Sequence, residues 1–297
     1  MPKRKEIIPL NDLNLTSRFL FDQVMEDPQT QKEVLSIVFG REIPVLLHSE
    51  TEKEVRLSPL IRSVRLDVFA IDEDEIVYNT EIQEFRKTDL AKRSRYYQGL
   101  MDTALLQPGI PDYNYLNDSY FVMIMTFDLF GCDKYCYTFS QKCEEVSGLK
   151  LNDGAVRIFL NTKGTNDQEV SAELIEFLHY LENTTDEAAH RSSSERIRRI
   201  HERVCKVKSS EEIGVKYMQA WEERYYDRQE ARAEGREEGQ VEGRVEALME
   251  ILTEEFGIIS ENLREKICKE TDLEILKKWL KLAVRVKSVE QFEREMQ

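Results

Sequence analysis

Two runs rich in β-branched and apolar residues, separated by a short acidic stretch, constrain the fold of this chain most. Residues 60–71 and 76–85 have the composition of strands, and the acidic residues 72–74 between them are too charged for a core. Strand-like runs on either side of a short polar turn are typical of a β-hairpin. The sequence therefore predicts an antiparallel pair whose turn length decides which side chains face each other.

Periodic patterns around the hairpin predict a mixed α/β domain. Apolar residues recur at helical spacing over residues 15–39, where Pro28 is expected to split the helix and Gly40 to end it. A further helix is predicted over residues 88–106, with the segment 107–109 as its stop. The remaining predicted elements are strands at 120–129, 135–139 and 156–160 and a helix at 169–181. This order is typical of one central sheet covered by helices.

Strand signals cease beyond about residue 184, so the domain boundary is expected between residues 185 and 186. Residues 184–194 are predicted as a loop, followed by a charged, all-helical region that ends in a small bundle. Gly235, Gly239 and Gly243 recur four residues apart. Each interior glycine costs a helix about 1 kcal/mol relative to alanine. The repeat indicates either close packing on a partner helix, for which a second copy of the chain is one candidate, or a weak solvated helix.

Two acidic residues flank the predicted hairpin among apolar neighbours, where strands normally exclude charge. If the hairpin loop comprises residues 73–75, Asp67 lies directly opposite Glu81. Gln83 then shares the face of Glu81, because strand side chains alternate. A two-residue loop would instead send Glu81 to the other face of the sheet. A metal site on this hairpin therefore requires the odd loop or an equivalent bulge.

Adjacent carboxylates repel each other unless a cation lies between them, and hard oxygen ligands favour Mg²⁺ or Mn²⁺. The carbonyl of Ile82 would add a ligand from the strand, and the Gln83 amide would orient an attacking water. The chain has 57 acidic residues, so the spacing by itself proves little. An alternative is a structural pair of edge-strand acids neutralised by Arg65 and Arg86.

A basic segment with two tyrosines follows the hairpin. Its candidate DNA-binding residues are Arg86, Lys87, Lys92, Arg93, Tyr96 and Tyr97. On a helix, Lys92 and Tyr96 lie one turn apart, as do Arg93 and Tyr97, and cations beside stacking-capable rings suit a nucleic-acid backbone. The net charge of −15 argues against nucleic-acid binding for the chain as a whole, so this local cluster matters. A solvated amphipathic helix is the alternative.

The cysteines, histidines and apolar segments exclude several other classes. The five cysteines are irregularly spaced, with no histidine at zinc-site spacing near Cys132 and Cys136, which favours buried, reduced thiols. The four histidines show no pairing with a nucleophile, which argues against serine-type hydrolysis. No stretch approaches the roughly 20 apolar residues that span a bilayer, and no signal-peptide-like run follows the basic start. We expect a cytoplasmic protein without a membrane partner.

The run Arg65-Leu66-Asp67, Glu81-Ile82-Gln83 and Lys92-Arg-Ser-Arg-Tyr-Tyr97 resembles the recombination-promoting nuclease and transposase family of the PD-(D/E)XK nuclease superfamily. The resemblance covers most of residues 10–245, including Tyr115–Phe121 and the Glu-Gly repeats. It implies a restriction-endonuclease-like αβββαβ core with a mixed sheet over residues 1–185, followed by the helical region 186–297. It also implies Mg²⁺-dependent DNA cleavage linked to recombination or mobile elements.

The resemblance carries over Asp67 and Glu81 as metal ligands and Gln83 in the place of the superfamily's usual lysine. Glutamine has no positive charge, so that charge is expected from the metal and from Lys92 or Arg93. The segment 17–22 departs from the family's pattern, so no site residue is carried over onto the first helix. The alternative function is a catalytically inactive DNA-binding or protein-interaction module that retains the nuclease fold.

Overall fold

A computed structural model describes residues 7–56, 63–106 and 109–296. The strands are β1 (Leu46–Val55), β2 (Val64–Asp72), β3 (Val77–Gln83), β4 (Ser119–Met125), β5 (Cys136–Phe139) and β6 (Ala155–Asn161). The helices are α1 (Arg18–Met25), α2 (Pro28–Phe39), α3 (Leu90–Leu105), α4 (Ala172–Glu182), α5 (Asp186–Arg191), α6 (Glu195–Lys208), α7 (Glu211–Phe256), α8 (Glu261–Lys269), α9 (Leu273–Ala283) and α10 (Val289–Glu295).

The six strands form one mixed sheet in the order β1-β2-β3-β4-β6-β5. The β3–β4 and β4–β6 pairs are parallel and the other three pairs are antiparallel. Side chains of α1, α2, α4 and α6 share a core with one face of the sheet, and α3 packs on the other face. Covered on both faces, β3 is buried along its whole length. This architecture confirms the predicted α/β class and the implied αβββαβ order.

The N-terminal helices follow from local signals in the sequence. Asp27 caps α2, because its carboxylate accepts hydrogen bonds from the backbone N–H of Thr30 at 2.8 Å and from the Thr30 hydroxyl at 2.7 Å. Pro28 occupies the first helical position, where its missing N–H costs nothing. Gly40 ends the helix with a φ of 62°, a conformation that glycine adopts readily. The predicted split at Pro28 and the stop at Gly40 are both confirmed.

The hairpin between β2 and β3 has the register that the three-residue loop predicts. Val68 pairs with Thr80, and the Asp72 N–H donates to the Ile76 carbonyl at 3.1 Å. The Asp72 carboxylate also accepts from the Ile76 N–H at 2.9 Å and from the Tyr78 hydroxyl at 2.8 Å, which ties the turn together. Strand β2 begins at Val64, and residues 60–62 of the predicted strand lie outside the described residues, as do residues 107 and 108 of the predicted stop after α3.

Strand β1 is the element that the residue patterns missed. Within the described part of the chain it forms the edge of the sheet and pairs with β2 alone, and most of its side chains are exposed or half-buried. Its sequence, Leu-Leu-His-Ser-Glu-Thr-Glu-Lys-Glu-Val, carries charges that ordinarily indicate a loop or a solvated helix. Charged side chains on an edge strand discourage pairing with another chain, so the same residues are compatible with a strand in this position.

The chain divides into two compact units between Tyr217 and Met218, whereas the boundary expected from the end of the strand signals lay between residues 185 and 186. Helices α5 and α6 belong to the first unit, because Ala189, Ile197 and Val204 are buried in the same core as the sheet. The segment 184–194, predicted as a loop, contains α5. Most residues of these helices are charged or polar, and the few apolar ones that pack into the core gave only a weak signal in the sequence.

The second unit is helical, as predicted. Leu248 and Leu252 near the end of α7 are buried in one cluster with residues of α8, α9 and α10. Gly235, Gly239 and Gly243 lie exposed within α7, and a Cβ added to any of them would meet no described atom within 4 Å beyond its chain neighbours and the adjacent backbone of the same helix. Packing of these glycines on a second copy of the chain stays a prediction. Among the described residues, no helix combines the length and apolar character needed to cross a membrane.

The close approach of the turn after β6 to Tyr135 gives a stability prediction. A Cβ at Gly164 would lie 2.4 Å from the Tyr135 backbone nitrogen, whereas one at Gly214 in α7 would meet nothing within 4 Å. We expect Gly164→Ala to destabilise the protein by about 1–3 kcal/mol through overpacking. Gly214→Ala, the matched control, is expected to stabilise it by about 0.5–1 kcal/mol. Urea unfolding measures both, and equal effects would contradict the packing seen at Gly164.

Candidate active site

The candidate site lies at the point where the backbone pairing between β2 and β3 ends. The paired register runs from Ile71–Val77 to Val68–Thr80. Beyond Val68–Thr80, backbone N–H groups of each strand donate to side chains of the other strand instead of to its carbonyls. The Asp67 N–H donates to Glu81 Oε1 at 3.1 Å, and the Ile82 N–H donates to Asp67 Oδ2 at 3.2 Å. Each carboxylate therefore accepts a hydrogen bond from the backbone of the opposite strand. The structure brings Asp67 and Glu81 together at the gap.

Both carboxylates are buried, with 1% of Asp67 and none of Glu81 exposed. Burial raises the pKa of Asp67 above its usual range. Burial and the neighbouring Asp67 raise the pKa of Glu81 to about 7. Two carboxyl groups in such surroundings are costly to ionise unless positive charge lies close to both of them.

Two arginines supply positive charge from opposite faces of the sheet. Arg18 of α1 places Nη2 2.5 Å from Asp67 Oδ1, and Arg93 of α3 places Nη2 2.7 Å from Glu81 Oε2. The alternative partners, Arg65 and Arg86, lie elsewhere. Arg65 pairs with Glu52 at 3.2 Å, and Arg86 donates to the Leu129 carbonyl at 3.2 Å. The edge-strand pairing is therefore wrong, and β3 lies in the interior of the sheet.

The other β3 residues of the candidate site surround Glu81. Asn79 and Gln83 lie two residues to either side and share its face, and Asn79 Nδ2 donates to Glu81 Oε1 at 3.3 Å. Gln83 Oε1 accepts from Arg93 Nη1 at 3.2 Å, and its Nε2 donates to the Phe85 carbonyl at 2.7 Å. Because the N–H and C=O of one strand residue point to the same neighbour, the carbonyl of Ile82 faces the side occupied by Asp67.

Helix α1 brings two charged residues, Arg18 and Asp22, close to the carboxylate of Asp67. The sequence did not identify either of them as a site residue. Asp22 lies one turn after Arg18, and its Oδ2 is 3.4 Å from Arg18 Nε. Asp22 is buried, and its Oδ1 has no hydrogen-bond partner among the described residues. Burial and the nearby Asp67 raise the pKa of Asp22 to about 8. The available signal was a charged pair at i and i+4 on a helix whose other positions are mostly apolar.

The candidate DNA-binding residues of the basic segment fall into two groups, one exposed to solvent and one partly buried beside the carboxylates. Arg86, Lys87, Lys92 and Tyr96 are exposed, on the loop after β3 and on α3. Arg93 and Tyr97 turn towards the carboxylates, with the guanidinium carbon of Arg93 4.9 Å from the centre of the Tyr97 ring. Tyr97 also packs edge-on against Phe121, at 6.2 Å between ring centres. DNA contact by these residues stays a prediction.

The groups at the site fit a divalent cation of the Mg²⁺ or Mn²⁺ type. Every candidate ligand is a hard oxygen: the carboxylates of Asp67 and Glu81 and the carbonyl of Ile82. The buried carboxyl group of Asp22 lies nearby, with one oxygen that lacks a hydrogen-bond partner among the described residues. A bound cation would favour the ionised forms of Glu81 and Asp22, whose pKa burial raises.

The cysteines differ from the sequence prediction. All five are free thiols, as expected, but none is buried: Cys132, Cys205 and Cys268 are exposed, and Cys136 and Cys143 are partly exposed. Composition predicts burial for free cysteine because the thiol behaves as a small apolar group. These five lie instead on loops, on a short strand and on the outer faces of helices.

Replacing Asp22 by asparagine is expected to stabilise the metal-free protein at neutral pH. Burial raises the pKa of Asp22 to about 8, so the folded protein binds a proton that the unfolded chain releases, and this costs stability. Asp22→Asn keeps the shape of the side chain and removes that cost, so the melting midpoint in EDTA should rise. A gain of about 1 kcal/mol corresponds to about 2–4 °C for a protein of this size. Asp12→Asn, at an exposed position outside the site, serves as the control and should leave the midpoint unchanged. A fall in the Asp22→Asn midpoint would show that the Arg18 pair outweighs the burial.

A mixed sheet with helices on both faces, and two buried carboxylates where neighbouring strands part, defines an α/β protein of the restriction-endonuclease-like type. A family model described as PD-(D/E)XK nuclease family transposase matches residues 45–235, more than half of the sequence, and the chain belongs to this family. The matched region begins just before β1, so α1, with Arg18 and Asp22, precedes it. Neither a curated protein nor a solved structure matched the chain.

Proposed function

We propose that this protein is a DNA endonuclease that requires Mg²⁺ or Mn²⁺ and hydrolyses phosphodiester bonds at the site of Asp67 and Glu81. The observation that carries the proposal is the exchange of hydrogen bonds between these side chains and the opposite strands, which holds two buried carboxylates together. Membership of a nuclease and transposase family supports the class of reaction. Recombination or the movement of a DNA element is the process in which such cleavage would serve.

Asp67, Glu81 and the carbonyl of Ile82 would hold the cation. When bound, the cation polarises the phosphate and lowers the pKa of a coordinated water. The carboxylates must then exchange their guanidinium partners for the ion. Arg18, with a side chain that is 45% exposed, is free to swing towards solvent or phosphate. Arg93 is 19% exposed and rests on Tyr97, so it stays beside the reacting groups.

Gln83 and Arg93 divide between them the tasks that a lysine performs elsewhere in the superfamily. Gln83 Oε1 would accept a hydrogen bond from the attacking water and orient it, a task for which its hydrogen bond to Arg93 positions the amide. The guanidinium of Arg93 would stabilise the negative charge that develops on the phosphate, because a preorganised donor acts strongly in a site with little water. The contacts of the Arg93 guanidinium with Glu81 and Gln83 support Arg93, rather than the exposed Lys92, for this role.

DNA would approach over the loop after β3 and the exposed side of α3. Arg86, Lys87 and Lys92 would contact phosphates, and Tyr96 would stack on a base or sugar. Arg93 and Tyr97 would meet the DNA only at the phosphate under attack. The chain carries a net charge of −15, so binding depends on this local cluster and should weaken steeply with salt.

A catalytically inactive DNA-binding module is the second candidate. Two observations favour it: a glutamine stands where the superfamily has lysine, and both candidate ligands already have arginine partners. An inactive member would keep these ion pairs in place of a metal. DNA binding would then persist in EDTA and would not depend on Asp67 or Glu81.

Cleavage of supercoiled plasmid by the full chain tests the proposal. The protein is incubated with plasmid in Mg²⁺, Mn²⁺ or EDTA, and DNA binding is followed in parallel by fluorescence anisotropy of a labelled duplex. A preparation of Asp67→Asn controls for contaminating nucleases. Nicking that requires the cation and is absent from the variant supports the endonuclease. Binding without nicking in either cation refutes it and leaves the inactive module.

A further inference from the structure

A second cluster of metal-ligating side chains lies on α5 and α6. Asp186, His201 and Cys205 each offer one ligand atom, and the three atoms lie within 4.8 Å of one another. The imidazole Nε2 of His201 is 3.0 Å from Asp186 Oδ1 and 3.4 Å from Cys205 Sγ. All three residues belong to the first compact unit and none takes part in the proposed nuclease site.

Two groups compete for His201 Nε2. The contact with the Asp186 carboxylate requires a proton on Nε2, because a carboxylate oxygen only accepts. The Cys205 sulfur is then limited to the role of a weak second acceptor. A metal ion accommodates all three groups together, because the carboxylate, the neutral imidazole nitrogen and the thiolate each donate a lone pair.

The other imidazole nitrogen is already positioned as in metal-bound histidines. His201 Nδ1 lies 2.7 Å from the Tyr180 hydroxyl, and the Tyr180 side chain is buried. A proton on Nδ1 donated to this oxygen leaves the Nε2 lone pair free towards Asp186 and Cys205. Metal-ligating histidines generally donate their second N–H to such a partner, which orients the ring.

The geometry and the elements of the ligands point to zinc. A tetrahedral Zn²⁺ with bonds of about 2.0–2.3 Å places its donor atoms about 3.3–3.6 Å apart. The distances from His201 Nε2 to Asp186 Oδ1 and to Cys205 Sγ, 3.0 and 3.4 Å, lie close to that range. Thiolate and imidazole ligands favour Zn²⁺ over Mg²⁺, in contrast to the all-oxygen set at Asp67 and Glu81.

We propose that Asp186, His201 and Cys205 form a Zn²⁺ site that links α5 to α6. The side chains of His201 and Cys205 are one helical turn apart, so α6 presents them on one face without rearrangement. Asp186 is 83% exposed and Cys205 is exposed, which leaves the fourth position open to water or an external ligand. The proposal stands independently of the nuclease activity.

Cobalt binding by the full chain tests this site, because a thiolate bound to Co²⁺ gives an intense near-ultraviolet charge-transfer band that oxygen ligands do not give. After removal of metals under reducing conditions, wild type is expected to take up one equivalent of Co²⁺ with this band, and Zn²⁺ should displace it. Cys205→Ser should abolish the band. Asp186→Asn and His201→Gln should each weaken Zn²⁺ binding by at least about tenfold.

Two controls separate this site from other thiols and from the nuclease site. Cys268→Ser removes another exposed helical cysteine, and Asp67→Asn alters the oxygen-ligand site; both should keep the band. Cys205 and Asp186 are exposed, so their variants should retain the wild-type circular dichroism and metal-free melting midpoint. The absence of a thiolate band in wild type, or its survival in Cys205→Ser, would overturn the proposal whatever the outcome of the cleavage assay.

Discussion

Asp67→Asn and Glu81→Gln are each expected to lower the rate of Mg²⁺-dependent DNA cleavage by about three orders of magnitude or more, because bound metal contributes several kcal/mol to the transition state. Both changes preserve the shape of the side chain and remove one ligand charge. Plasmid nicking under single-turnover conditions gives the rate. Each variant replaces a buried carboxyl group that is costly to ionise beside the other one. The melting midpoint of the metal-free variants should therefore equal or exceed that of the wild type.

Asp72→Asn is the matched control for these variants. Asp72 is also a buried acid of β2, but it lies at the turn, where it accepts hydrogen bonds from Ile76 and Tyr78. Its replacement should cost about 1–3 kcal/mol of stability, because a buried hydrogen-bond acceptor is lost. The cleavage rate per folded molecule should stay at the wild-type value. Activity within tenfold of wild type in Glu81→Gln would remove Glu81 from the metal site.

Arg93→Ala is expected to lower kcat by about two to three orders of magnitude, the range found when one preorganised donor to a developing anion is removed. The reason is its position: its guanidinium contacts both Glu81 and Gln83 and is mostly shielded from solvent. Single-turnover cleavage at saturating protein measures the effect. Arg93→Lys keeps the charge without the forked geometry, so it should recover part of the lost rate.

Lys92→Ala provides the comparison, since Lys92 is adjacent in sequence and exposed on α3. It should weaken DNA binding severalfold and reduce the salt dependence of the affinity by about one phosphate contact, with kcat unchanged. The opposite result, with kcat lost in Lys92→Ala and only affinity lost in Arg93→Ala, would exchange the roles assigned to them. Arg93→Ala leaves the buried Glu81 without its ion pair and is expected to destabilise the protein. The melting midpoint of each variant is therefore measured, so that a loss of rate caused by unfolding is recognised.

The sequence limited the hairpin loop to two or three residues, and local hydrogen bonds select the longer loop. Asp72 ends β2, and its carboxylate accepts hydrogen bonds from the backbone N–H groups of Asp74 and Ile76. These contacts within the turn stabilise the three-residue loop. Once that length is set, the pleat of the strands brings Asp67 opposite Glu81. The split between α1 and α2 at Pro28 has an equally local cause.

Other features depend on contacts between distant segments. Strand β1 forms because β2 offers it an edge, and its charged sequence alone indicates a loop. The charged helix α6 belongs to the first unit because Ile197, Ile200 and Val204 find a core built by the sheet and α1, α2 and α4. A boundary drawn where strand signals cease could not anticipate that packing.

By itself, the sequence named Asp67 and Glu81 as a candidate pair and limited their arrangement to two loop lengths, because strand alternation is a property of neighbouring residues. The structure has the three-residue loop. Only the tertiary structure decided which cations meet them: Arg18 comes from a helix that precedes the hairpin, and Arg93 from one that follows it on the other face. The same holds for His201 beside Cys205 and Asp186, where a helix–helix contact supplies the third group. Charge pairing in a buried site depends on three-dimensional proximity, and sequence spacing specifies proximity only within one element or one turn.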